Sequence, residues 1–422
     1  MRKMKDSGYG YLGAIPENWK VERIKTHLRF SQEKNPGGAT VLSLYREHGI
    51  VPKDSRDDNH NVTSEDTSNY RYVQVGDFVV NKMKAWQGSM AVSNFEGVVS
   101  PAYYVYRFID DELDRGYLHY LLRSKCYADE FRRLSGGIRI GQWDLSKNSF
   151  ETTYVAVPPL DEQKRIANTI SQKLDKVDCL ISNVQTQIEQ LGAYKRSVIT
   201  EKITMGLIGS VPTKESWVEN QSYVPAHWNY VRGRYVAPVN KSVAMPDEDE
   251  YITYAPMECV RNDSFNPRAI QVKNLSSGLS SFAEGDVLLA KITPCFENGN
   301  VAIANNLING VGAGSSELIA FTPIGINARF FMYYLQNTYF VESGKATIRG
   351  IGGLRRITSD FVENIALYIP DEIEQQEIVD YLDEKCSKIE ALISIKQKKI
   401  EKLEQYKKSL IYEYVTGKKE VS

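Results

Sequence analysis

Residues 160–206 read LDEQKRIANTISQKLDKVDCLISNVQTQIEQLGAYKRSVITEKITMG, and residues 371–417 read DEIEQQEIVDYLDEKCSKIEALISIKQKKIEKLEQYKKSLIYEYVTG. In the first stretch a stripe with heptad steps of four and three runs through Ile170, Leu174, Val177, Ile181, Val184, Ile188, Leu191, Lys195, Val198 and Lys202. Adding 212 to each number gives Leu382, Cys386, Ile389, Ile393, Lys396, Ile400, Leu403, Lys407, Leu410 and Tyr414. A stripe held this long among polar residues predicts a coiled-coil seam on each of two long helices. At a rise of 1.5 Å per residue, a helix of about 44 residues spans about 66 Å. The acidic starts Asp161-Glu162 and Asp371-Glu372 suit the positive end of a helix dipole, and Gly206 and Gly417 are stops. The start at Pro370-Asp371-Glu372-Ile373 reads as one residue longer than the one at Pro158-Pro159-Leu160.

The repeat extends to the segments before each helix. Ile15-Pro16-Glu17-Asn18-Trp19 returns as Val224-Pro225-Ala226-His227-Trp228, and Gly76-Asp77 with its apolar run to Lys82 returns as Gly285-Asp286 to Lys291, both at an offset of 209. Gly-Asp marks a turn into a strand in each copy. YLHYLL at 117–122 matches FFMYYL at 330–335 as a short amphipathic helix, and Val157-Pro158 matches Ile369-Pro370 as a strand end. The predicted class is α+β: two α/β domains, 1–159 and 207–370, alternating with long helices at 160–206 and 371–422. If the helices pair, this order makes them antiparallel, with a pseudo-twofold axis relating the halves.

Composition bounds the function. The 422 residues are 42% hydrophobic and 25% charged, which predicts a folded chain of two or three domains. No run of 18 apolar residues and no leader-like N-terminus stand in the sequence, so a cytoplasmic protein is expected. Cys126, Cys179, Cys259, Cys295 and Cys386 make no CxxC or zinc spacing, and the five histidines show no ligand spacing. No metal site and no catalytic constellation is predicted: there is no phosphate loop and no Gly-rich cofactor fingerprint. Gly350-Ile351-Gly352-Gly353 reads as a loop, and Asp383-Glu384-Lys385 as a solvated face of the second long helix. A formal net charge of −1 argues against a protein that holds nucleic acid by bulk charge alone, so basic groups gathered on one face, or partner subunits, would have to neutralise phosphates.

Two places in each copy nevertheless suit DNA. Lys82, Lys84, Trp86 and Gln87 combine cations, an amide and an indole at a strand end, and Lys291 is the second copy's counterpart. Arg139 and Gln142 lie in a Gly-rich loop before the return to the long helix; the corresponding loop holds Arg349, Arg355 and Arg356. Arginine and glutamine can contact guanine and adenine edges in bidentate fashion.

The Ile-Pro-x-x-Trp opening, Pro158 to Gln163 (PPLDEQ), Glu374-Gln375-Gln376, the Tyr-Lys-x-Ser helix ends and NKMKAWQG resemble the specificity subunits of type I restriction-modification systems along the whole chain. The resemblance implies two target-recognition domains that read double-stranded DNA and conserved helices that dock two methylation subunits. It also implies two restriction subunits. S-adenosylmethionine, ATP and magnesium would then reside in the partners, none in this chain. Two heads on one rod would read half-sites about one DNA turn apart, about 34 Å. The competing reading is a coiled-coil adaptor that joins proteins without touching DNA.

Overall fold

A computed structural model describes residues 2–45, 49–55, 66–137, 143–350 and 355–421. The chain forms two compact units, one of residues 1–184 with 398–422 and one of residues 185–397. Each unit therefore takes in the start of one long helix and the end of the other. The expected boundaries at 159, 206 and 370 follow the helix ends, whereas compactness divides the chain inside the helices.

In the first unit, β1 (Lys20–Arg23) and β2 (Leu28–Phe30) precede β3 (Phe78–Asn81), β4 (Met90–Val92) and β5 (Tyr103–Phe108). The order β2-β5-β3-β4 makes an antiparallel sheet, with Tyr103 opposite Asn81. Then follow α1 (Arg115–Arg123), α2 (Lys125–Leu134), β6 (Tyr154–Val157), which pairs with β1, and α3 (Leu160–Met205). Asp114 caps α1 by accepting from Tyr117 N. The core joins Trp19, Phe78, Tyr106, Tyr117, Phe131 and Phe150 to Leu410, Tyr414 and Val415 from the far end of the chain.

The second unit repeats this plan. β7 (Asn229–Arg232) pairs with a later strand, and β8 (Val287–Ala290) sits between β9 (Val301–Ile303) and β10 (Leu318–Phe321). After α4 (Ala328–Gln336) and α5 (Thr338–Ala346) come β11 (Ala366–Ile369), the partner of β7, and α6 (Glu372–Val415). Its core gathers Trp228, Val287, Phe330 and Leu382 with Val198 and Ile203 from the end of α3. These two positions correspond to Leu410 and Val415 at an offset of 212.

The shared motifs are frame. Gly76 and Gly285 adopt φ of +91° and +86°, which a residue with Cβ tolerates poorly, and each releases the next aspartate to accept a backbone N–H three residues back. Asp77 accepts from Gln74 N and Asp286 from Ala283 N, both at 2.8 Å, and burial raises the pKa of both carboxyls. The two helix starts are of equal length, contrary to the expectation of an extra residue. Gln163 Nε2 donates to Pro158 O and Gln375 Nε2 to Pro370 O, five residues back in each case. Their amide oxygens accept from Asp114 N and Asn327 N, so one glutamine ties each helix start to its head. The stops are packed within their own units: a Cβ at Gly417 would lie 2.4 Å from Pro16 Cγ, and one at Gly206 would lie 3.0 Å from Glu374 Oε1.

The seam is buried or half-buried throughout. Val177, Ile181, Ile389 and Leu410 are buried, and Leu174, Ile188, Leu191, Ile393, Ile400 and Leu403 are half-buried. In the second unit Lys195 pairs with Glu390 and Lys396 Nζ donates to Gln187, so the partner numbers rise as the others fall and the helices run antiparallel. In the first unit Lys407 pairs with Asp178. Two exposed apolar residues of each long helix repeat at 212, Leu180 and Leu392 at 48% and 47% and Tyr194 and Tyr406 at 54% and 48%.

Asp383 departs from the solvated-face reading. It accepts both from Arg329 Nε, at 2.6 and 2.7 Å, and from the Tyr333 hydroxyl at 2.6 Å, while Arg329 also grips Asp263. The carboxylate is a structural tie between α4 and α6. Its partners lie 50 and 54 residues away, so local charge pattern could not reveal them.

Candidate nucleic-acid interface

β3 is wholly buried and ends on Asn81, whose amide oxygen accepts from Met83 N and turns the chain out of the sheet. A single 3-10 turn, Ala85–Gln87, follows, with Ala85 buried as its anchor. This leaves Lys84 exposed and Lys82, Trp86 and Gln87 half-buried. Lys82 Nζ stands 3.1 Å from Asp144, and Leu145 N donates to Lys82 O. The Trp86 ring lies 5.6 Å from Trp143, and its Nε1 donates to Met83 O. The indole is thus neither free nor hidden: it packs on a second indole at the surface.

Asp144 and Leu145 pair with Ser135 and Gly136 to close the base of the returning loop. Arg139 and Gln142, the predicted readers in that loop, lie outside the described residues. What the structure does establish is that the loop's base and the Trp86 turn are one assembly.

The second unit joins its two candidate segments in the same way. Ile357 N donates to Lys291 O, as Leu145 N does to Lys82 O, and Thr293 N donates to Arg355 O. Arg349 and Arg356 exchange two backbone hydrogen bonds at 3.0 and 2.9 Å, forming a narrow ladder. Arg356 also donates through Nε and Nη2 to Glu317, whose carboxyl is held below its ordinary range by that guanidinium. Arg356 therefore braces the ladder, while Arg349 and Arg355 are exposed. Lys291 is half-buried and lines a cavity of 530 Å³ with Arg234 and Asn240.

Sequence reasoning missed a third feature of the first unit, a groove of 570 Å³ beside Trp86 and Gln87. Arg123 at the end of α1, Lys125 and Arg132 on α2, and Lys408 on α6 line it. The one available signal was the spacing of Lys125 and Arg132, seven residues apart on an amphipathic helix. Among the described residues no cluster of His, Cys, Asp and Glu could hold a metal ion, and no helix is long and apolar enough to cross a membrane.

This duplicated geometry has known relatives. The specificity subunit of the type I restriction enzyme EcoEI from Escherichia coli is 30% identical over 161 residues, 37% of this chain and 27% of that protein. The chain thus matches about a quarter of the length of that relative. The MjaVIII specificity subunit of Methanocaldococcus jannaschii is 24% identical over 96% of this chain and 93% of its own. Among solved structures, a chain from work on the assembly and conformational transition of the type I R-M system aligns at a TM-score of 0.68 and 16% identity. It covers 95% of this chain and 98% of its own, which shows a shared fold. The HsdS subunit of Thermoanaerobacter tengcongensis aligns at 0.51, also with 16% identity, over 96% of this chain and 98% of its own. The profile of the type I restriction modification DNA specificity domain matches twice, over residues 16–190 and 228–405, once for each half of the repeat. The chain belongs to the type I restriction-modification DNA specificity family.

Proposed function

We propose that this chain is the DNA sequence-specificity subunit of a type I restriction-modification complex and has no catalytic site of its own. Each unit reads one half of a split, asymmetric site in double-stranded DNA. One observation carries the reading: in each unit a lysine-bearing strand end and an arginine-bearing return loop are joined by the same backbone hydrogen bond, Leu145 N to Lys82 O and Ile357 N to Lys291 O. Lys82 and Lys84 in the first unit and Lys291 in the second take phosphates. Arg139, Gln142, Arg349 and Arg355 read base edges, with Arg356 bracing its loop and Trp86 and Gln87 shaping theirs. The match to a DNA specificity domain supports this over a protein-only adaptor.

Two methylation subunits dock on the long helices, where Leu180, Leu392, Tyr194 and Tyr406 offer exposed apolar anchors at repeat-related positions, one leucine and one tyrosine per unit. S-adenosylmethionine belongs to those subunits. ATP and magnesium belong to two restriction subunits, and the complex works in the cytoplasm of a bacterial or archaeal cell. A gel shift with the methylation subunit present, run across a salt series, tests the reading: a split-motif duplex should be selected and binding should weaken steeply with salt. Selection of one continuous short motif, or no selection at all, would defeat it.

A further inference from the structure

The groove beside Trp86 has a counterpart in the second unit, position for position. Trp86, Gln87 and Gly88 correspond to Glu297, Asn298 and Gly299; Lys125 corresponds to Thr338, Arg132 to Lys345 and Lys408 to Arg196. The volumes are close, 570 and 620 Å³. The charges are not. The first groove holds four cations, Arg123, Lys125, Arg132 and Lys408, against the single carboxylate of Asp129, a net of +3. At the matching positions of the second, Arg196 and Lys345 face Glu297 and Glu342 and cancel. Lys345 there is already bonded to Glu342 at 2.8 Å, whereas no ion pair engages Lys125, Arg132 or Lys408 among the described residues.

One of these three cations, Lys125, is placed against the interests of the fold. Lys125 is the first residue of α2, where the helix dipole disfavours a positive charge, and no acidic residue offsets it in that turn. Lys125, Arg132 and Lys408 are all exposed, so burial does not explain them either. Arg132 lies 5.8 Å from the Trp143 ring, which holds its guanidinium beside the Trp86 assembly. Lys125 and Arg132 stand seven residues apart, about 10.5 Å along the helix, enough to reach different phosphates of one DNA strand, which rise about 3.4 Å each along the duplex axis.

We infer that the first unit's groove is a seat for the sugar-phosphate backbone flanking its half-site, with Lys125, Arg132 and Lys408 as the phosphate ligands, and that the second unit's groove is not. The inference rests on the DNA-reading function proposed above. The two halves then hold DNA unequally, and the first half-site carries the larger share of the salt-dependent binding.

The test uses the full chain with its methylation partner and a duplex carrying the selected split motif. Replacing Lys125, Arg132 and Lys408 together by alanine should lower the log–log salt slope by about 0.9 per phosphate, about 2.7 in all, without changing the motif. Arg196→Ala with Lys345→Ala should leave the slope as it was. A second variant, Thr338→Lys with Glu342→Ala, should raise the slope by importing the first groove's charge, which keeps the idea testable even if the triple variant folds poorly. An unchanged slope in the triple variant, with wild-type binding intact, overturns the groove assignment alone. Loss of the methylation subunit from the triple variant at an unchanged slope would show a protein-docking surface and overturn it too. Failure of the wild-type complex to select DNA would instead remove the functional reading.

Discussion

The two units share a frame and differ in what they present. Trp19 and Trp228 are fully buried, Asp77 and Asp286 close the same turn, and Gln163 and Gln375 make the same pair of hydrogen bonds. At the surface the correspondence breaks: Glu297 takes the place of Trp86 in the repeat, Thr338 takes that of Lys125, and a ladder braced by Glu317 stands where the first unit has a Lys82–Asp144 pair. Within one chain the repeat thus separates what the fold requires from what each head is free to vary. The matched tryptophans, Gly-Asp turns and helix-start glutamines, identical at a fixed offset, are buried or capping. The polar and charged positions that differ between the units line the grooves and loops.

The strongest way to break this equivalence is to remove one half. A fragment of residues 1–209 lacks Leu410, Tyr414 and Val415, which complete the first unit's core. The end of its own helix, with Val198 and Ile203 at the same register, is the natural replacement if supplied by a second copy. Light scattering should find a dimer joined by an isologous contact. With the methylation partner, mapping should find a palindromic split motif built from the first half-site. A soluble monomer, or the parent's asymmetric motif, would show that the halves are not interchangeable.

Next in size are the matched tryptophans. Trp19→Ala and Trp228→Ala should each destabilise their own unit by about 3–5 kcal/mol, since both indoles are fully buried and leave a cavity. Urea unfolding followed by hydrogen exchange in each unit measures this, and a loss under about 1 kcal/mol at either site would mean that one of the two frames can collapse around the gap.

The DNA-facing positions sharpen the contrast at smaller energies. Arg139→Ala in the first loop and Arg355→Ala in the second should each cost about 1–3 kcal/mol of specific binding and relax one base position. Lys82→Ala or Lys84→Ala should weaken binding to all sequences and reduce the salt slope by about 0.9 for each phosphate left without its lysine. Arg356→Ala should instead loosen the ladder it braces through Glu317, so that amide protection around Arg349 falls along with affinity. Motif mapping beside exchange data separates these outcomes, and an Arg355→Ala variant with an intact motif would remove that residue from base reading.

The helices were legible because a heptad seam is a property of local spacing, and the offset of 212 doubled the evidence for it. Strand ends and the Gly-Asp turns were legible for the same reason. The extra residue expected at the second helix start is not there: Gln163 and Gln375 each bond the carbonyl five residues back, so Pro158 and Pro370 hold one register, which the differing residues between them concealed. The groove, the Arg356–Glu317 brace and the Arg329–Asp383 tie were not legible. Their members meet across 39 to 54 residues, or, for Lys408 against α2, across most of the chain, and no period links them. The first unit's discontinuity was hidden likewise: the Tyr117 hydroxyl reaches Val415 O across 298 residues.

The smallest expected difference between the units is one of proton binding, at position 119 against 332. His119 packs in α1, where burial and then the charge of Arg123 push its pKa down to about 3, and Arg123 Nη1 donates to its Nε2 at 3.0 Å. Its counterpart Met332 is fully buried and has nothing to titrate. An unfolded histidine takes its proton near pH 6.5, so the folded first unit binds fewer protons than the unfolded chain between pH 6.5 and about 3. Stability is therefore complete above pH 6.5 and is lost as pH falls below it, by up to about 1.4 kcal/mol per pH unit. Between pH 7 and pH 5 the opening free energy of α1, read by amide exchange, should fall by about 1–2 kcal/mol more than that of α4. His119→Met, which borrows the second unit's residue, should abolish that excess. If α1 weakens with acid as much in the variant as in the native chain, the pH sensitivity belongs to the surrounding carboxylates and not to the one ring that sets the two helices apart.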